Sequence, residues 1–227
     1  MALLGDAAML LWYDIQAGAV EAHDAWHTRE HFPERIGIPG FLRAQRWVAE
    51  GESPRYFVVY EVADIGVLSD RPYLHCLNHP TDWTQRMMPA FRGMTRGFCR
   101  IVHRHGTVLG SSALTIRFSP GALDRQWLAG WLDQTLAALV QRDGSTSAFL
   151  LESGPTPAMT REQSIRGPDA GVDQVLLVTG YSRAAIDQAA AASLSAKLLA
   201  EHGAVSEAKL DVYQLACLAD SRSPPPG

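Results

Sequence analysis

The sequence predicts an α+β protein in which one β-α-β-β-α-β programme runs twice, giving two ferredoxin-like repeats that form an internal pseudo-dimeric α+β barrel. Three observations carry this expectation. Strand-like and amphipathic segments follow one another in the same order in both halves of the 227 residues. Each half ends on a strand. Finally, an antiparallel sheet with helices on one face leaves its other face to be buried, and a second copy of the unit is the natural partner. Two facing sheets then imply a cavity between them. One larger α+β sheet without a barrel is the alternative, because residue identity between the halves is low.

In the first half, a strand is expected at Ala8–Ile15, a helix from Ala19 to Phe32, and strands at Phe41–Ala49 and Arg55–Val62. A broken helical stretch, Val67–Phe91, and a strand, Gly97–Arg104, complete it. The second half offers a strand at Ser112–Phe118, an amphipathic helix at Asp124–Gln141, and strands at Thr146–Glu152 and Gln174–Thr179. An alanine-rich helix, Arg183–His202, and a strand, Lys209–Leu218, end the fold. The expected division is 1–106, 107–220 and a tail, 221–227, whose SRSPPPG has nothing to bury and should be disordered. Gly154–Gly171 is rich in Gly and Pro where a tight hairpin is expected, and loops of this length act as lids or are disordered insertions.

Composition narrows the function. A formal charge of −4 without a basic cluster argues against a nucleic-acid partner. The apolar runs are too short to span a bilayer, and the N-terminal stretch lacks the basic region of a secretory signal. Cys76, Cys99 and Cys217 are scattered, which suits a cytoplasmic protein with reduced thiols. Phosphate-cradling and nucleophile-elbow motifs are absent, so nucleotide, nicotinamide and α/β-hydrolase chemistry are poor expectations.

What chemistry there is concentrates in the first half. Seven of eight histidines precede residue 106, as do four of six tryptophans, although simple drift in composition would look the same. On the first helix, His23, His27 and His31 share a face with Val20 and Trp26, the side expected to be buried. Three readings compete for it. His27 and His31, four residues apart, suit a shared metal ion, with Glu30, His23, His75 or His79 as a third ligand. His31, near the helix end, suits a general base. Otherwise the imidazoles simply satisfy neighbouring polar groups.

Pro33 and the Gly37, Pro39-Gly40 turn should stop this helix and set Glu30, His31 and Arg35 beside the strand that begins at Phe41. On that strand Phe41, Arg43, Gln45 and Trp47 should face one way and line a ligand cavity, or else solvent, while Leu42, Ala44, Arg46 and Val48 meet the helices. Tyr73, His75, His79 and Trp83, on a stretch restarted at Pro80 and interrupted at Pro89, offer a second wall or an ordinary capped helix.

The run AWHTREHFPERIGIPGFLRAQRWVA, followed by RYFVVYEV, resembles the dimeric α+β barrel superfamily, and more narrowly EthD-like and related bacterial proteins, in tandem fusion. Glu30-His31, Pro33, Pro39-Gly40-Phe41 and Arg43 carry the resemblance, whereas His27 stands where an aromatic such as tyrosine would be expected. It covers roughly the first 105 residues. It implies a small-molecule-binding barrel, of the monooxygenase or isomerase kind, acting on an aromatic or polyketide-like compound without a held cofactor or metal. His31 would be the acid/base, with Glu30 and Arg43 orienting it or stabilising an enolate, and His27, Gln45, Trp47, Tyr73, His75, His79 and Trp83 around the substrate. The alternatives are a non-catalytic ligand-binding or assembly module, and haem or metal binding through the first-half histidines. A small-molecule partner is expected, and the pseudo-dimer would be a monomer or pair once more as a homodimer.

Overall fold

A strand buried on both faces reads as a nearly continuous apolar run, and AAMLLWYDI is one. In the computed structural model, which describes residues 2–51, 54–122, 125–205 and 207–221, it forms β1 (Ala7–Ile15). The other strands are β2 (Phe41–Ala49), β3 (Tyr56–Val62), β4 (Phe91–Gly106), β5 (Ser112–Phe118), β6 (Ser145–Ser153), β7 (Gln174–Gly180) and β8 (Lys209–Asp220). They close into an antiparallel barrel in the order β1-β3-β2-β8-β5-β7-β6-β4. Each half thus supplies four adjacent strands in the same internal order, β4-β1-β3-β2 and β8-β5-β7-β6. The long strands make the seams: β8 joins β2, and β4 joins β6.

Alternation sorts the side chains into three cores. Met9, Leu11, Tyr13 and Ile15 face the first-half helices, while Leu114, Ile116 and Phe118 face those of the second half. Inside the barrel lie Leu10, Trp12, Trp47, Phe57, Phe149, Leu177 and Tyr213. The cavity expected between the sheets is therefore filled by side chains, because an eight-stranded barrel is only wide enough for large ones to meet across its axis. Trp12 stacks on Phe57, with ring centroids 5.0 Å apart.

The first helix layer begins with α1 (Val20–Trp26), widens into a π turn at His27–His31 and continues as α2 (Phe32–Ile36). Pro33 does not end it, contrary to expectation. The Phe32 amide bonds the His27 carbonyl one residue farther back than in an α-helix, and this wider turn accommodates the proline ring and its missing donor. Gly40, at φ 90°, then turns the chain into β2; a Cβ there would meet the Val67 side chain at 2.6 Å.

The rest of this layer is α3 (Arg71–Asn78) and α4 (Asp82–Met87), with Thr81 capping α4 through its hydroxyl. The second half carries α5 (Arg125–Leu139), α7 (Arg183–Gln188) and α8 (Ala196–Glu201). The helix expected across 183–202 is interrupted by a second π turn, Ala189–Ser193, and a fresh cap at Ser195.

Three further expectations change. A bulge between Phe41 and Arg43 turns Phe41 to the helix side, away from Arg43, Gln45 and Trp47. The closing strand of the first half is longer than the predicted 97–104. The segment 154–171 is neither a bare loop nor an insertion without structure. It contains α6 (Arg161–Arg166) and crosses onto the first half, where Ala170 exchanges backbone hydrogen bonds with Met94 and Arg96 of β4. The tail at 221–227 lies outside the described residues beyond Ser221.

Candidate functional site

Where α1, the π turn and α2 cross the outer face of the first-half strands, the packing leaves a cavity of about 30 Å³, room for roughly two waters. His27 and His31 from the π turn, Tyr13 and Tyr60 from the strands, Tyr73 from α3 and Trp26 from α1 line it. Met9, Leu11, Met88 and Met94 supply its apolar wall. The strap bearing α6 closes it with Glu162 and Arg166, beside Arg35 and Arg96.

The imidazoles form a stacked row, with ring centroids 5.1 Å apart for His23 and His27 and 5.6 Å for His27 and His31. The face is buried, as its sequence position suggested: His23 is 0% exposed, His27 2% and His31 7%. His27 Nε2 lies 3.2 Å from the Tyr60 hydroxyl. Among the described residues, the Nδ1 atoms of His27 and His31 have no hydrogen-bond partner, although the Glu34 carboxylate stands 3.8 Å from that of His31. Burial pushes both imidazoles well below their usual pKa, and the charge on Arg35 adds to this for both, with Arg46 adding for His27 and Arg166 for His31. Both rings are therefore neutral at pH 7. Burial also holds the Tyr60 and Tyr73 phenols protonated.

An ionic clasp spans the two halves. Arg35 donates to Glu34 and to Glu162, at 2.7 Å each. Asp169 accepts from Arg166 and from Arg96, at 2.8 Å each. Burial disfavours the Arg35 charge, but Glu162 and Glu34 outweigh it and keep the guanidinium protonated. Three cations and three carboxylates thus balance over the cavity.

Of the residues singled out from the sequence, His27, His31 and Tyr73 meet in this cavity. Glu30 does not line it; its carboxylate accepts from the Trp26 indole at 3.2 Å and the Thr81 hydroxyl at 2.6 Å. Arg43, Gln45 and Trp47 lie on the barrel-interior side of the sheet. There the Trp47 indole donates to Gln45 at 2.9 Å, Gln45 bonds Glu61, and Arg43 sits 3.6 Å from Glu61. His75 on α3 and His79 just past its end are exposed and stack on each other, and Trp83 packs at the margin of the first-half core.

Among the described residues, no group of three or more His, Cys, Asp or Glu side chains is arranged to hold a metal ion. A porphyrin does not fit the cavity as it stands, since the space is only about 30 Å³ and Trp26 lies against His31 at 4.3 Å between ring centroids.

Arg35, Arg96, Glu162 and Arg166 were not among the predicted site residues. The first sits past Pro33, where the helix was expected to have ended, and the last two lie 127 or more positions along the chain. Tyr13 and Tyr60 were hidden in apolar strands whose two faces are both buried.

No protein-family model and no curated protein matches the sequence. The structure, however, is similar to that of an anthrone oxidase-like protein, with a TM-score of 0.70, 10% identity, and 98% of this chain and 97% of that one covered. It is also similar to a provisionally assigned monooxygenase from Fusobacterium nucleatum, with a TM-score of 0.60, 8% identity and 96% of each chain covered. A third similar structure is a chlorite dismutase variant from Candidatus Nitrospira defluvii in complex with cyanide, with a TM-score of 0.57, 8% identity, and 93% and 90% covered. At such identities the likeness speaks for the fold. No helix among the described residues is long and apolar enough to cross a membrane. The chain has the dimeric α+β barrel fold, with both ferredoxin-like layers carried on one polypeptide.

Proposed function

We propose that the first-half cavity binds a small aromatic or polyketide-like compound and moves a proton to or from it, with His31 as the acid/base. One observation carries this reading: neutral imidazoles with unpartnered nitrogens, phenols and a guanidinium cluster converge on one buried space, at a stability cost that packing alone does not require. A neutral His31 takes a proton from an acidic C–H of the bound ring. Arg35 and Arg166 favour the enolate that forms, as fixed charges in a site shielded from water. The names of the similar structures, an anthrone oxidase-like protein and a provisionally assigned monooxygenase, support a carbon acid whose enolate then reacts with dioxygen. Glu30 supports the site by tying the π turn to Thr81. Occupancy by a ring requires the α6 strap to lift, because the present space of about 30 Å³ is too small for one.

The test is dioxygen uptake by the purified protein with anthrone, in the wild type and in His31→Ala. Turnover should fall about 100-fold or more in the variant. Unchanged turnover in His31→Ala would remove His31 from the chemistry, and proton exchange without dioxygen uptake would place the reaction with the isomerases. One observation favours a second reading, a non-catalytic module: each arginine of the clasp is already paired with a carboxylate. That reading expects no anthrone turnover and no binding of small phenols.

A further inference from the structure

We propose that Tyr13, His23 and Asp24 form a proton relay that joins the first-half cavity to solvent, with Tyr13 as the group that meets the ligand. The inference rests on the cavity being a ligand site and adds to it a ligand chemistry and a route for the proton. Tyr13 lines the cavity from β1. Its hydroxyl lies 3.1 Å from His23 Nε2, and His23 Nδ1 lies 3.0 Å from Asp24 Oδ1. His23 is fully buried, whereas the Asp24 side chain is 38% exposed. The chain of groups therefore runs from the cavity wall, through the sealed layer, to water.

The hydrogen-bond directions follow from its outer end. Asp24 carries hydrogen bonds from His23 and from the Tyr56 hydroxyl at 2.8 Å, and Arg46 lies 3.4 Å away; against the opposing effect of burial these hold it ionised. A carboxylate only accepts, so His23 carries its proton on Nδ1 and leaves Nε2 bare. Tyr13 then donates to Nε2, and only its oxygen lone pairs remain for a bound molecule. The ligand group that meets Tyr13 must be a donor, which a phenol or enol hydroxyl is.

When such a hydroxyl ionises, its proton passes to Tyr13 Oη as the Tyr13 proton passes to His23 Nε2. The Nδ1 proton of His23 passes to Asp24 and from there to water. The ligand is left as its phenolate or enolate, and no redox partner is consumed. Arg46 from β2, Arg55 just before β3, Tyr56 at the start of β3, and His27 one turn along the helix surround His23; the two arginines oppose a lasting imidazolium, which suits transfer rather than storage.

4-Nitrophenol reports the relay directly, since its absorbance shows whether the bound phenol is ionised. After a stopped-flow pH jump, 4-nitrophenol bound to the wild type should ionise about tenfold faster than when bound to Asp24→Asn or Tyr13→Phe, because a relay speeds the exit of the proton. Simple loss of the Asp24 negative charge would instead lower the ionisation midpoint of Asp24→Asn without slowing the approach to it. Asp24→Glu should restore the wild-type rate, and Tyr13→Phe carries the test if Asp24→Asn does not fold. Binding with equal rates in the wild type and the variants would overturn the relay alone. No binding to the wild type would overturn the cavity as a ligand site and the relay with it.

Discussion

The same space exists twice in this molecule and is filled in two ways. In the second half, the gap between helices and sheet is closed by Leu128, Leu132, Leu136, Leu139, Ile186 and Leu199 against Leu114, Leu150 and Leu176. In the first half, the equivalent gap holds three imidazoles, four phenols and two buried arginines, and two of those imidazoles and three of those phenols line a small cavity. Both helix layers even carry a π turn, at His27–His31 and at Ala189–Ser193. The fold is thus satisfied by leucine packing alone. The polar content of the first half is an addition that burial penalises, and such exceptions to good packing are where function resides.

The largest expected effect breaks the clasp that has no counterpart in the second half. Arg35→Met leaves Glu162 buried with only Arg166, 4.0 Å away, as a counter-charge and should cost up to about 3–5 kcal/mol in chemical denaturation. The double variant Arg35→Met, Glu162→Met should recover most of this. If the single variant were as stable as the wild type, the clasp would not be a buried ion pair in solution.

Next, Leu132→Ala in the leucine-filled half should cost about 2–5 kcal/mol while leaving 4-nitrophenol binding intact. Loss of binding in that variant would blur the contrast between the halves.

Acid sharpens it further. The pKa values of His23, His27 and His31 are lowered in the folded state, so the unfolded chain binds more protons below its own imidazole pKa near 6.5. The stability these neutral rings allow is complete above about pH 6.5 and declines as pH falls toward the folded values. Each ring contributes a slope of up to about 1.4 kcal/mol per pH unit. A flat stability profile between pH 7 and 5 would mean that the row is solvated. The smallest effect is expected for His31→Leu, which makes the first half resemble the second: neutral, or stabilising by up to about 1 kcal/mol, with turnover lost.

Much of the fold was legible because alternation and helical periodicity survive in sequence: the order of strands and helices and the buried histidine face were both readable. What was lost shares a cause, dependence on partners far along the chain or on a local irregularity. The bulge that turns Phe41 away from Arg43 breaks the period of two without any residue marking it. The π turn that carries the helix past Pro33 is equally unmarked, so Arg35 went unread as a cavity residue. Glu162 and Arg166 sit in a Gly- and Pro-rich stretch whose purpose appears only when it lies across the other half. The emptiness expected inside the barrel failed on volume, because Trp12, Trp47, Phe57 and Tyr213 fill an eight-stranded barrel.

The central claim is that the first-half cavity, rather than the barrel interior or its mouth, receives the ligand. A crystal structure of the protein soaked with 4-nitrophenol tests it most directly. The account predicts the ring between the π turn and the sheet, against Trp26, with its hydroxyl within hydrogen-bond distance of Tyr13 or His31 and the α6 strap displaced. A phenol seated instead in the open groove at Arg117 and Lys209, with the first-half cavity unchanged, would contradict it.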